Sequence, residues 1–253
     1  MPQLDTQQKE YEEGFYRLED IPKHLRKYFI DKPGYSFNFK GIAKELYRIT
    51  KDGGVVVWVV GDATVKGSET GTSFKQALYF KEIGFNLHDT MIYKKDGISF
   101  PDAQRYYGCF EYMFILSKGT PKSINQIKDL KNKHFGATIS GVNRNPDGST
   151  RKMSCSGNKI KEYGVRWNVW EITPQKTNRV HPAMFPEKLA QDHILSWSNK
   201  GDLILDPMNG SGTTTKMAQK LNRNYIGIDC SKEYCKIAED RLRQQTLNYK
   251  QTL

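Results

Sequence analysis

The chain has 253 residues, of which 37% are hydrophobic and 12% aromatic, enough to build one large or two small cored domains and to exclude a disordered polymer. A formal charge of +11 and a pI near 9.3 point to an anionic partner, and nucleic acid is the commonest one for a globular chain. The four cysteines, Cys109, Cys155, Cys230 and Cys235, lack the spacing of a zinc site or a disulfide framework, no apolar run is long enough to cross a membrane, and MPQLDTQQKEYEEGF is no signal peptide, so a cytoplasmic, metal-free protein with reduced thiols is expected.

In chain order, KGIAKELYRIT at residues 40–50 predicts a helix with Ile42, Leu46 and Ile49 on one face, stopped by KDGG. The apolar run VVVWVVGD then reads as a buried strand, SFKQALYFKEIG as a second helix, and FNLHDTMIYKK and CFEYMFILSKG as two further strands. From about Gly119 to Arg179 the composition changes to Lys, Arg, Asn, Gly and Ser, with few apolar residues left for a core. Two readings stand there: a solvated insertion, or a segment whose basic and amide side chains, with Phe135, Tyr163, Trp167 and Trp170, grip and read duplex DNA. Beyond it come a helix in MFPEKLAQDHILSWS, a strand in LILD, a helix in TTTKMAQKL, a strand in NYIGID and a last helix in KEYCKIAEDRLRQQTL. Strands alternating with helices predict an α/β fold, a mixed and mostly parallel sheet with helices on both faces.

DPMNGSGTTT, residues 206 to 215, carries the chemistry. The strand LILD ends at Asp206 and turns on Pro207, Gly210 and Gly212 are free to take positive φ, and a helix starts at Thr213. A triphosphate loop needs a Gly-Lys-Ser/Thr ending, yet Thr213 follows Gly212, and a dinucleotide loop needs glycine where Thr215 stands. Asp229, at the end of NYIGID and 23 residues after Asp206, is spaced to reach this loop and accept hydrogen bonds from both hydroxyls of a ribose. The charge of Asp206 would repel a phosphate and welcome a cation. S-adenosylmethionine, a nucleoside with a sulfonium and an α-amino group, meets those demands.

The segments HPAMFPEKL, DPMNGSGTT and IGID, in this order and spacing, resemble the cofactor half of the amino-group DNA methyltransferases of the beta arrangement, which modify cytosine N4 or adenine N6. GGVVVWVVGDATVKGSETGTSF, MIYKKDG and FEYMFILSKG are similar to that family's central strands and the loop between them, so the resemblance runs from about Gly34 to Leu242. It implies a Rossmann-like S-adenosylmethionine-dependent methyltransferase fold in which Asp206, Pro207, Gly210, Ser211, Gly212 and Thr213 form the cofactor loop and Asp229 holds the ribose. His181, Pro182, Phe185 and Pro186 match the segment that closes over the methionine part. The implied organisation is a divergent segment at 1–33, catalytic-half strands and helices at 34–119, a target-recognition insertion at 120–178 and a cofactor-binding half at 179–253. The implied setting is DNA methylation in restriction-modification, phage defence or regulation.

The chain departs from the family in one respect. The motif Ser or Asp, Pro, Pro, then Tyr, Phe or Trp is not found; it would supply acceptors for the amine hydrogens and a ring to stack on the flipped base. Where it should sit stands YRLEDIPKHLRKYFIDKPGYSF, charged and helical in character. The catalytic residues therefore stay unassigned: Glu19, Asp20 and Asp31 read as surface carboxylates, and Asp62, at a strand end, lines a cleft without a named role. A missing N-terminal segment, a second chain supplying the motif, or a DNA-binding protein without chemistry would each account for the gap.

Overall fold

The computed structural model describes residues 37–99, 104–174 and 185–250. The expected residues 1–33, with Glu19, Asp20 and Asp31, lie outside this range, and so do His181 and Pro182.

Helix α1 (Phe39–Ile49) starts where the Asn38 side chain accepts the Gly41 N–H at 2.8 Å. It buries Phe39, Ala43 and Leu46 with Ile42 partly buried against the same core, so two of the three expected residues face inward and only Ile49 is exposed. The difference has an aromatic cause. The Phe39 ring lies 5.6 Å from Trp58 and 5.3 Å from Phe80, edge-on to the latter, so the core contacts concentrate at the start of the helix.

Strands β1 (Val55–Val60), β4 (Asn86–Ser99), β5 (Gly108–Ser117) and β10 (Val169–Glu171) form one sheet in the order β1-β5-β4-β10. Between β1 and β4 come β2 (Thr64–Val65), β3 (Ser68–Glu69) and helix α2 (Thr72–Glu82). Strand β5 is the centre. Its alternate residues Phe114 and Leu116 join Trp58, Phe80 and Phe85 under α1 and α2, while Met113 and Ile115 face Met91, Trp170, Ile172 and Leu189 on the other side. Period-two alternation has thus placed apolar residues on both faces of a strand covered by helices.

The second half opens with α3 (Glu187–Trp197), followed by β11 (Leu203–Asp206), α4 (Thr213–Lys220), β12 (Asn224–Gly227) and α5 (Lys232–Lys250). Strands β11 and β12 pair in parallel, and Ala190, Ile194, Met217 and Ala218 close the small core between α3 and α4. The mixed α/β architecture expected from the sequence is present, with antiparallel pairing more frequent in the first sheet than expected. Strands β1–β5 and β4–β5 pair antiparallel, β4–β10 and β11–β12 parallel, and β1 and β11 are each left with one unpaired edge. The two sheets share no strand pairing among the described residues.

The segment after β5 projects as a two-stranded arm. Strand β6 (Leu130–Lys131) pairs with β9 (Tyr163–Gly164), Thr138 bridges Lys159, and β7 (Val142–Arg144) pairs with β8 (Thr150–Lys152). The tip turns at Asp147, whose carboxylate accepts the Ser149 N–H at 2.9 Å. None of residues 119 to 169 is buried, so the arm is held by its backbone ladder and not by a core.

Candidate functional site

The loop between β11 and α4 is built by local hydrogen bonds. Asp206 accepts the Met208 N–H at 3.0 Å, which makes the turn around Pro207, and Gly212 donates to the Asn209 carbonyl at 2.8 Å. Gly210 and Gly212 both have positive φ, 51° and 81°. At Gly212 the space a side chain would fill is taken: a Cβ would stand 2.7 Å from the Ala238 Cβ of α5. Gly212 therefore meets two needs, the positive φ of the turn and the approach of α5 to α4, while Gly210 meets the first.

Asp229 stands two residues past β12 and reaches the loop. Its Oδ2 accepts the Gly210 N–H at 2.9 Å and its Oδ1 accepts the Ser231 N–H at 2.8 Å. Each carboxylate oxygen retains acceptor capacity. Burial raises the Asp206 carboxyl above the usual carboxylate range; hydrogen bonds from Thr214 and the Met208 N–H oppose the rise, and the charge of Asp229 adds to it. Two carboxylates thus converge on one glycine turn. That is chemistry for a ligand with a diol and a positive charge, which S-adenosylmethionine provides and a phosphate ester does not.

Ser211 and Thr213 are buried, so their side chains face protein and the loop offers backbone to a ligand. Asn209 is also buried, accepting the Thr215 hydroxyl at 3.1 Å. Phe185 is partly exposed just before α3, and Pro186 is the residue at that helix's N-terminal boundary. Sequence reasoning missed Glu187, Lys216 and Arg241. The Glu187 carboxylate accepts Lys216 Nζ at 2.6 Å and Arg241 Nη2 at 2.9 Å, while Arg241 Nη1 donates to the Ser211 carbonyl at 2.6 Å. Burial raises the Glu187 carboxyl, but the two cations outweigh it and hold the group below its usual range. An acid in a first helical turn was legible; its partners, far along the chain, were not.

On the first sheet, Asp62 follows β1. Its carboxylate accepts the Ser73 N–H and the Thr70 hydroxyl at 3.1 Å each, together with the Ser73 hydroxyl. Asp62 thus ties the start of α2 to the β2–β3 hairpin, a structural use of the acid that the sequence left without a role. The hairpin turns through Lys66 and Gly67 at positive φ, and Arg105 donates to the Gly67 carbonyl.

The arm's aromatics divide. Phe135, Tyr163 and Trp167 are exposed, Trp167 by 71%, but Trp170 is only 5% exposed and belongs to the core, its ring tilted 4.5 Å from that of the buried His193. Strand β10 explains this, since its middle residue faces inward over β4. Arg166 fixes the root, donating to Asp129 and, at 2.6 Å, to the Asp192 carboxylate of α3, which is itself 1% exposed. Asn125 adds bonds to the Leu195 and Ser198 carbonyls at 3.1 Å each. Beyond this root, residues 130–164 carry seven lysines and arginines against two acids.

With this geometry in hand, comparisons place the chain among known proteins. A family model described as DNA methylase matches residues 18–240. The chain is 60% identical over 226 residues to the orphan methyltransferase M.BamHII of Bacillus amyloliquefaciens, covering 86% of this chain and 85% of that protein. It is 30% identical to the type II methyltransferase M.MjaI of Methanocaldococcus jannaschii over 79% of this chain, while spanning 64% of that protein. Among solved structures, the PvuII DNA methyltransferase, titled cytosine-N4-specific, superposes with a TM-score of 0.59 at 21% identity, covering 80% of this chain and 68% of that one. The M1.HpyAVI–SAM complex does so with a TM-score of 0.55, also at 21% identity, over 81% and 84%.

Proposed function

This chain belongs to the DNA methylase family and is by kind a DNA methyltransferase, and from that premise we propose that it moves a methyl group from S-adenosylmethionine to an exocyclic base amine in duplex DNA, cytosine N4 in preference to adenine N6. The observation that carries the reading is that two carboxylates brace one glycine turn, Asp229 taking the Gly210 N–H and Asp206 the Met208 N–H. S-adenosylmethionine supplies an electrophilic methyl on a sulfonium. In this reading Asp229 holds the ribose hydroxyls and Asp206 favours the cationic end. Pro207, Gly210, Ser211, Gly212 and Thr213 shape the loop, and His181, Pro182 and Phe185 close over the methionine part. The preference for cytosine rests on the GDATVKGSETGTSF stretch.

The division into an N-terminal segment, catalytic half, arm and cofactor half belongs to the same proposal, with the arm at 120–178 as the reader of DNA and the cytoplasm as the site of action. The excess of cations in the arm, its exposed rings and the absence of a buried residue between 119 and 169 support that role. Its backbone ladder leaves side chains on both surfaces available to phosphates and base edges.

One observation favours a second reading, a methyltransferase-like DNA-binding chain that is inactive or incomplete by itself: the sequence contains no Pro-Pro-aromatic motif. The two are separated by incubating the chain alone with labelled S-adenosylmethionine and mixed-sequence duplex DNA. Label in the DNA is the expected result, and digestion to nucleosides names the base. Cofactor binding without transfer would decide for the second reading and would send the search to a partner chain for the missing acceptors.

A further inference from the structure

The loop at residues 208–212 is tethered on two sides, and only one of them belongs to the site described so far. On one side, Asp229 takes the Gly210 N–H. On the other, Arg241 reaches across from α5, its side chain 19% exposed. One guanidinium nitrogen donates to the Ser211 carbonyl at 2.6 Å and the Ser211 hydroxyl at 3.1 Å, with the Thr213 hydroxyl at 3.5 Å. The other donates to Glu187 at 2.9 Å, and the same Glu187 oxygen accepts Lys216 Nζ at 2.6 Å.

Because the Ser211 and Thr213 side chains are turned into the protein, the loop meets a ligand through its backbone, and the conformation of that backbone sets its affinity. Nothing in the turn's own sequence fixes it fully: two glycines at positive φ leave it many alternatives in the absence of an outside hold. A planar fork suits the task, since one guanidinium can grip a carbonyl and a carboxylate at once, which an ammonium cannot. The carboxylate it grips is placed to matter as well. Glu187 is the first residue of α3, directly after Phe185 and Pro186.

We propose that Arg241 is a positioning residue for the cofactor loop, and that Glu187, shared between Arg241 and Lys216, couples the loop to the segment entering α3. This rests on the cofactor reading above. Losing Glu187 leaves the partly buried Arg241 guanidinium without its carboxylate, whereas losing Arg241 leaves Glu187 paired with Lys216 but frees the loop from its guanidinium hold.

The test is calorimetric titration of the full chain with S-adenosylmethionine, comparing Arg241→Gln, Arg241→Lys, Glu187→Gln and, as control on the same helix, Arg243→Gln, whose side chain pairs only with Glu239 and Asp240 among the described residues. Arg241→Gln is expected to bind about tenfold more weakly, Arg241→Lys and Glu187→Gln a few fold more weakly, and Arg243→Gln like the unaltered chain. Hydrogen exchange at residues 208–212 separates positioning from general destabilisation: exchange there should accelerate about tenfold while β5 amides keep their protection. If the unaltered chain binds no S-adenosylmethionine, the cofactor reading falls and the positioning role with it. If it binds and Arg241→Gln binds equally well, the positioning role alone is overturned. Should Arg241→Gln fail to fold, unchanged affinity in both Arg241→Lys and Glu187→Gln overturns it.

Discussion

Two residues show how far chemistry at a single position can be read. Asp229 was legible from spacing alone, because a βαβ unit returns the second strand's end to the first loop, and its carboxylate indeed accepts the Gly210 N–H. Asp229→Ala should weaken S-adenosylmethionine binding about tenfold by calorimetry, since both a loop tether and the proposed ribose acceptors go; unchanged affinity would remove Asp229 from the pocket. His193 was invisible as anything but a helical residue. It is buried against Trp170, with Nε2 3.1 Å from the Met113 sulfur and Nδ1 without a hydrogen-bond partner among the described residues. Burial drives its pKa down to about 3, against a small opposing pull from Asp192. The unfolded chain, titrating near 6.5, therefore takes up a proton first: the contribution is complete above about pH 6.5 and is lost as pH falls toward about 3. Between pH 6.5 and pH 5 this amounts to about 2 kcal/mol, so His193→Met should flatten the fall in urea-unfolding stability by that amount. An equal slope in both proteins would contradict a neutral buried imidazole.

At the scale of elements, periodicity located helices and strands well but fixed their facing poorly. The α1 pattern pointed to Ile42, Leu46 and Ile49; the first two pack in the core, but Ile49 is exposed and Phe39, against Trp58 and Phe80, takes a place the pattern did not give it. The strand VVVWVV was recognisable as a strand but is less buried than its composition suggested, with Trp58 buried and Val59 exposed on an edge strand, whereas the apolar run of β5 is buried on both faces. The turn at the candidate site behaves similarly: glycine at 212 was foreseen for backbone freedom, while its lack of a Cβ turned out to admit Ala238. Gly212→Ala should therefore destabilise the α4–α5 packing by roughly 1–3 kcal/mol, combining a positive-φ cost with overpacking. Thermal unfolding measures it, and a midpoint equal to that of the unaltered chain would show that α5 can back away without loss.

For the whole molecule, the charge of +11 becomes meaningful through the arm. A segment in which every residue is at least partly exposed has no packing reason for its composition, so its cations and its rings at Phe135, Tyr163 and Trp167 are free to serve a partner. Its root is rigid, because Arg166 pairs with the buried Asp192 and lies 5.1 Å over the Trp170 ring, so a load on the arm is passed to α3. Replacing Lys152, Lys159 and Lys161 together should weaken duplex DNA binding and reduce the salt slope by roughly 0.9 for each phosphate that is no longer neutralised, leaving S-adenosylmethionine affinity as it was. Gel-shift titration at several salt concentrations reads both quantities, and binding that does not change would take the reading role away from the arm. Among the described residues no helix is long and apolar enough to cross a membrane.

The sequence by itself determined the order of the elements, the strand, glycine turn and helix at DPMNGSGTTT, the distance to Asp229, and a basic segment without a core. These are properties of neighbouring residues, set by periodicity, turn chemistry and composition, and they need no knowledge of what lies across the fold. Tertiary structure decided the rest: Trp170 inside and Trp167 outside, Asp62 spent on the start of α2, and Arg241 and Glu187 brought from either side to hold one loop. Those outcomes depend on which faces meet, and side-chain contacts between residues thirty or fifty positions apart leave no local trace in a single chain's sequence.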